Sequence, residues 1–280
     1  RDFWMNLNGE FDYAVTGDVA TAPEKYDGKI VVPFAIESAL SGVERTFMPD
    51  EILWYRKKFT LSDEFAGKEV IINFDAVDWQ CKVYVNGKSV GEHTGGYNAF
   101  SFNITSFVTD GENELVVRVY DPTDTGWQQR GKQAIESHGF WYTGTSGIWQ
   151  TVWLEAVDKT RIEKLRLLPD IDKGTINVKT TVSGSEEYTV TAKIYDGEKE
   201  IVKAEISADA DICVPDFKLW SPEEPNLYDM ILEVSVDGQV RDRVKTYFGM
   251  RKFSMGKDAD GYMRLCLNNK PYFRNGLLDQ

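Results

Sequence analysis

Pairs of carboxylates are the first residues in this chain whose types and spacing could do chemistry. Asp75 and Asp78 flank Ala76-Val77 behind a run of alternating apolar residues, and Glu186-Glu187 stand just ahead of another such run. Two facing carboxyl groups can share acid and base work in hydrolysis, but at the ends of strands these four are expected to be exposed loop acids. Ser137-His138 supplies two members of a nucleophilic triad, yet adjacent side chains rarely aim at one another and no third member is identifiable. His93 and His138, the only histidines, are far apart, and Cys81, Cys213 and Cys266 are scattered without ribbon or redox spacing, so no metal site is predicted. The glycine-rich GEHTGG at 91–96 follows a hairpin rather than opening a helix, which argues against a phosphate cradle. No catalytic residue and no cofactor is assigned to the chain.

The stretch richest in ligand-type groups is TDTGWQQRGKQAIESHGFWYTGTSGIWQTVWLE, residues 123–155. Its first part joins a strand ending at Tyr120 to one starting near Gly147, and loops of more than about 20 residues are longer than a connection needs. Trp127, Trp141 and Tyr142 offer flat faces that can cover the apolar side of a sugar ring. Gln128, Arg130, Lys132 and Gln133 could take its hydroxyls. The same tryptophans would serve equally to anchor the loop, and both readings stand. Trp149 and Trp153, four positions apart, are expected on one face of a strand, in core or interdomain packing.

The elements that must position this loop are strands. Val70, Ile72 and Phe74; Val83 and Val85; Leu115, Val117 and Val119; Val190, Ala192 and Ile194; and Met230, Leu232, Val234 and Val236 each alternate with period two. Cys81 continues one such face as a small core residue. Asn86-Gly87, Asp196-Gly197 and Asp237-Gly238 follow these runs and suit tight hairpins, so antiparallel pairing follows. Only 63–67, with Phe65 among polar residues, suggests a helical turn. The prediction is an all-β chain of two sandwiches with a boundary at 156–160, where aromatic-rich sequence ends. The segment LWSPEEPNLY is read as a rigid extended link, because Pro222 and Pro225 fix φ and lack a donor. Arg251 is expected to pair with an acid across the junction that follows the second sandwich.

At 280 residues and 42% hydrophobic, the chain is long enough to bury more than one core. Its 32 Lys and Arg against 45 Asp and Glu leave a formal charge of -13, which would repel nucleic acid and anionic membranes. No stretch approaches the roughly 20 apolar residues of a membrane span, and the first residues lack the pattern of a signal peptide. Neither membrane nor nucleic acid is an expected partner. The acidic balance gives a slight lean to a periplasmic or secreted location, and compartment stays open.

The segments DFWMNLNGEFDY, WYRKKFTL, FDAVDWQCKVYVNGKSVGEHTGGYNAFSFNIT, GIWQTVWLE, LWSPEEPNLY, FGMRKF and LNNKPYFRNG, in this order, resemble family 2 glycoside hydrolases, which include β-galactosidases, β-glucuronidases and β-mannosidases. The resemblance implies a jelly-roll, galactose-binding-like β-sandwich over 1–158 and an immunoglobulin-like β-sandwich over 159–250. It also implies the start of a (β/α)8 barrel over 251–280, with KPYFRNG as the first barrel strand. Such a barrel takes roughly 250 residues. The two carboxyl groups of a retaining mechanism, about 5–5.5 Å apart, are therefore expected outside these residues, and the chain alone is expected to be inactive.

The resemblance further implies that the loop before GIW reaches the active site, with an Asp six residues before that Gly touching substrate. Here that position is Trp141, and the loop holds no Asp after Asp124. Substrate-binding candidates are accordingly Lys132, His138, Trp141 and Tyr142, with Asp50 from the second loop, RTFMPDEILWYRKKF. The expected function is that of a β-galactosidase-like enzyme acting on terminal β-glycosides. The alternatives are a β-glucuronidase or β-mannosidase, a stand-alone carbohydrate-binding sandwich, or a structural protein of stacked β-domains. The implied partners are the carbohydrate substrate and the protein's own catalytic barrel; homo-oligomerisation is left open.

Overall fold

A computed structural model describes residues 1–17, 21–184 and 187–277, and its regular elements are almost all strands. Every pairing between named strands is antiparallel. Two compact units are present, one over Phe3–Val157 and the other from Asp158 onward together with Arg1–Asp2.

The first unit is a two-layer sandwich. One sheet orders Gly28–Val32, Gly9–Thr16, Ile52–Thr60, Glu112–Tyr120, Gln80–Val85 and Lys88–Thr94; the other orders Trp4–Asn6, Val152–Val157, Glu69–Phe74 and Phe100–Asn103. Period-two alternation places Leu53, Tyr55, Val83, Val85, Val117 and Val119 on the inner face of the first sheet, against Val70, Ile72, Phe74 and Leu154 of the second. Cys81 lies among them, 2% exposed. The Ile52–Thr60 strand is buried on both faces at its start, because Ile52 and Trp54 form an outer cluster with Ala14 and Val116, flanked by Tyr26, Tyr84 and Tyr120. The predicted helical turn is a short 3-10 helix, Asp63–Phe65, whose Phe65 is buried.

The second unit pairs a three-stranded sheet, Arg161–Asp170, Thr175–Ser183 and Asp209–Cys213, with a four-stranded one, Lys199–Ile206, Thr189–Asp196, Tyr228–Val236 and Gln239–Phe248. Ile162, Ile176 and Val178 meet Val190, Ala192, Ile194, Met230, Leu232 and Val234 in its core. The predicted hairpins form where positive φ is tolerated: Asn86 and Gly87 at 50° and 74°, Asp237 and Gly238 at 51° and 73°.

Several details differ from the sequence reading. Trp149 and Trp153 do not share a strand. Ile148 pairs with Val77 and Val152 with Phe74, so three residues, 149–151, oppose two, 75–76. The extra residue interrupts the pairing there, as a bulge does, and leaves Trp149 between two strands. Both indoles are half-buried and bonded, Trp149 Nε1 to the Gly96 carbonyl at 2.8 Å and Trp153 Nε1 to Asp75 Oδ1 at 3.1 Å. Asp75 is exposed as expected, whereas Asp78 is 2% exposed, because its two-residue strand Val77–Asp78 turns inward to pair with Gly147–Ile148. Glu186, and Leu278 after the barrel-type segment, lie outside the described residues. Arg251 stacks its guanidinium over the Trp220 and Phe253 rings, 4.6 and 5.2 Å from their centroids, a cation–π arrangement that the sequence reading did not anticipate. In KPYFRNG only Lys270–Pro271 is a strand, closing a small sheet with Met263–Leu267 and Phe253–Lys257; 272–277 form none, so a barrel strand is not seen there.

Candidate functional site

Residues 121–146 leave the Glu112–Tyr120 strand and return at Gly147–Ile148 without any named strand between them. Local hydrogen bonds shape them. Asp121 Oδ1 accepts the Thr123 amide at 2.8 Å, an Asx turn that starts the loop. Further on, the Tyr142 amide donates to the Lys132 carbonyl and the Ala134 amide to the Tyr142 carbonyl, both at 2.8 Å. These bonds close a lobe at 132–142, turned by the Trp141 amide bonding to the His138 carbonyl.

Four of the five predicted contact residues, Lys132, His138, Trp141 and Tyr142, are brought together on this one lobe. Lys132 Nζ sits 5.1 Å from the Phe140 ring centroid, and Tyr142 is 66% exposed. His138 and Trp141 line an open depression of about 410 Å³ with Asp124, Arg130, Gln133 and Glu136. Asp50 is not brought in. It stands exposed beside Glu51, whose carboxylate takes the Met48 amide and pairs with Arg45.

The lining has the chemistry of a polyol site. Asp124 and Glu136 carry acceptor oxygens, Arg130 carries donors, and Trp141 adds a flat apolar face. Asp124 Oδ2 already accepts the Ile135 amide at 3.1 Å, and Arg130 donates to the Asp124 carbonyl, so both are held in place. His138 Nδ1 lies 2.7 Å from the Glu136 carbonyl; a carbonyl only accepts, so Nδ1 bears the proton and a neutral ring offers Nε2 as acceptor. Trp127, 89% exposed, leans edge-on against Trp79 at 5.8 Å. Among the described residues, no three His, Cys, Asp or Glu side chains are grouped to hold a metal ion.

Sequence reasoning misplaced the two glutamines, expected Asp78 to be exposed, and missed Glu37 and Asp121 beneath them. Gln128 and Gln133 are 7% and 8% exposed. The Gln128 amide donates to the Thr123 carbonyl at 2.8 Å; Gln133 Nε2 donates to Asp78 Oδ2 at 3.1 Å and Tyr97 Oη at 3.0 Å, while its Oε1 accepts the Thr145 amide at 2.7 Å. Both therefore hold the loop rather than face outward. Below them Asp121 Oδ2 accepts from Ser146 Oγ at 2.7 Å, and Glu37 Oε2 accepts the Ser146 amide at 2.9 Å. Burial pushes the Glu37, Asp78 and Asp121 carboxyls above the usual range, Asp78 to about 7 with the Asp121 charge as the next cause. The Asp-Pro-Thr spacing at 121–123 was a readable turn signal; nothing local marks Glu37 or Asp78.

Known proteins place this architecture. A family model described as the sugar binding domain of glycosyl hydrolases family 2 matches residues 25–157, and a second from glycosyl hydrolases family 2 matches 160–251. A β-galactosidase of Thermoanaerobacter pseudethanolicus is 28% identical over 81% of this chain and 31% of its own length. One from Streptococcus thermophilus is 31% identical over 72% of this chain and 20% of its own. A putative β-glucuronidase of Formosa agariphila is 29% identical over 75% and 26%. The chain thus spans about a third or less of these relatives. Among solved structures, a β-glucuronidase from Ruminococcus gnavus in complex with C6-substituted uronic isofagomine superposes with a TM-score of 0.78 at 19% identity, over 98% of this chain and 49% of that one. At that identity the likeness is one of fold. With both sandwiches matched in order by models of a single family, the chain belongs to family 2 of the glycoside hydrolases.

Proposed function

We propose that these residues are the non-catalytic sandwich region of a retaining family 2 glycosidase that removes terminal β-linked sugars, with a β-galactoside as the preferred substrate. The observation that carries this reading is the pair of consecutive family matches, 25–157 and 160–251, beside relatives at 28–31% identity named β-galactosidase. The catalytic carboxylate pair comes from residues outside these 280. The lobe at 132–142 contributes sugar contacts at its depression: the Trp141 face for the ring, and Asp124, Arg130, Glu136 and His138 for hydroxyls. Lys132 and Tyr142 flank it on the same lobe, and Asp50 contacts substrate from its own turn. The boundaries 1–158, 159–250 and 251–280 describe the jelly-roll, immunoglobulin-like and linker-plus-barrel parts.

The test is hydrolysis of chromogenic β-galactoside, β-glucuronide and β-mannoside by the 280-residue chain beside the product of its uninterrupted reading frame. Turnover by the longer product alone, fastest on β-galactoside, is expected; no turnover by either sinks the reading. A preference for β-glucuronide would keep the family and replace the sugar. Within an active product, Trp141→Ala should raise KM several-fold, and an unchanged KM removes the lobe from the site.

A further inference from the structure

The 121–146 loop rests on three carboxylates. Its end is held by Glu37 and Asp121 through Ser146, and its middle by Asp78 through Gln133. Asp78 and Asp121 are 2% and 1% exposed, and Glu37 Oε1 is buried without a hydrogen-bond partner among the described residues. The packing against Asp78 is close: a Cβ on Gly96 would strike its carboxylate, so that turn accepts only glycine. Charges acting on Asp78 come from Asp121 and Glu37, both acids. Among the described residues two phenols also face these acids, Tyr97 beside Asp78 and Tyr55 beside Glu37, and burial pushes both up so that they stay neutral.

Asp78 and Asp121 lack solvent, Glu37 is half-buried with Oε1 shut away from water, and the Asp121 and Glu37 charges both act on Asp78, so the three carboxyls cannot all ionise at little cost. The relief available is a proton on the cluster or exposure to water. We propose that Glu37, Asp78 and Asp121 form a proton-operated latch, which holds the 121–146 loop docked while the cluster keeps a proton and loosens it as that proton is lost. This goes beyond the glycosidase reading and does not depend on what the loop binds. The sign follows from linkage. The docked state holds its proton up to about pH 7, and the released state, with Asp78 in water, only to its ordinary 3.8. The docked-to-released ratio therefore falls about tenfold per pH unit between those values and levels off above pH 7.

Amide hydrogen exchange of the whole chain from pH 5 to 8, corrected for intrinsic exchange, tests this. Protection of 121–146 peptides should fall about tenfold per unit from pH 5 to 7 and then flatten, while Ile52–Thr60 shows no such slope. Asp78→Asn, which keeps the shape and removes the Asp78 titration, should make the slope clearly shallower. Flat wild-type protection, or the same slope in the variant, overturns the latch. Because Asp78→Asn could misfold, carboxyl carbon NMR on the wild type gives a second reading. A cluster midpoint near 7 supports the latch, and three midpoints near 4 refute it.

Discussion

Replacing Tyr55 by Phe should destabilise the first sandwich by about 1–3 kcal/mol, a cost that comes from one oxygen atom. Tyr55 is fully buried on the Ile52–Thr60 strand, and its ring packs edge-on against Phe11 at 6.2 Å, a contact that Phe keeps. The hydroxyl oxygen accepts the Ile148 amide at 3.1 Å, where the long loop rejoins the sheet. Ile148 is itself 0% exposed, so without that oxygen its N–H loses its acceptor where water does not reach. Urea unfolding followed by tryptophan fluorescence measures the effect. With m of roughly 2 kcal/mol/M, the midpoint should fall by about 0.5–1.5 M at unchanged m. Tyr247→Phe, at a side chain 65% exposed, is the control and should stay within about 0.5 kcal/mol of the parent. A Tyr55→Phe midpoint equal to the parent's, or a loss matched by the control, would falsify the view that this hydroxyl pins the loop.

Gly147→Ala should be more damaging still, roughly 2–4 kcal/mol by the same assay, because Gly147 has φ of 91° and a Cβ there would run into the Tyr55 hydroxyl; a loss under about 1 kcal/mol would count against that close approach. Stability of the first sandwich should decrease as pH rises from about 4 to about 7 and level off above, since the unfolded chain releases the Asp78 proton first; the full shift from 3.8 to about 7 corresponds to roughly 4 kcal/mol, and Asp78→Asn should recover much of it at pH 8. Stability that rises across this interval in wild type and is insensitive to the substitution would refute the sign. With a thiol reagent at neutral pH, exposed Cys213 should react first. Cys81, buried with its thiol pushed up to about 12, and buried Cys266 should react only on unfolding, so rapid labelling of more than one thiol would contradict the burial pattern.

The sequence by itself determined the local rules of this protein. Alternation at Val70, Ile72 and Phe74, or at Leu115, Val117 and Val119, specifies a strand with one buried face, because side chains on a pleated backbone point to opposite sides in turn. Asn86-Gly87 and Asp237-Gly238 specify tight hairpins through φ values that most residues resist. Together these made the all-β class legible, and the ordered motifs made the family legible. The grouping of Lys132, His138, Trp141 and Tyr142 on one lobe was readable to the extent that all four share one segment.

Tertiary structure alone decided which polar groups face inward. Asp75 and Asp78 look alike in sequence, three positions apart, yet one is exposed and the other buried, because Asp78 alone pairs with Gly147, a strand distant along the chain. Gln133 could have faced a ligand; it points inward because Asp78, Tyr97 and Thr145 converge on its amide from three separate segments. Burial, hydrogen-bond partners and proton affinity depend on long-range contacts, and a local pattern carries no record of which distant backbone will arrive beside it.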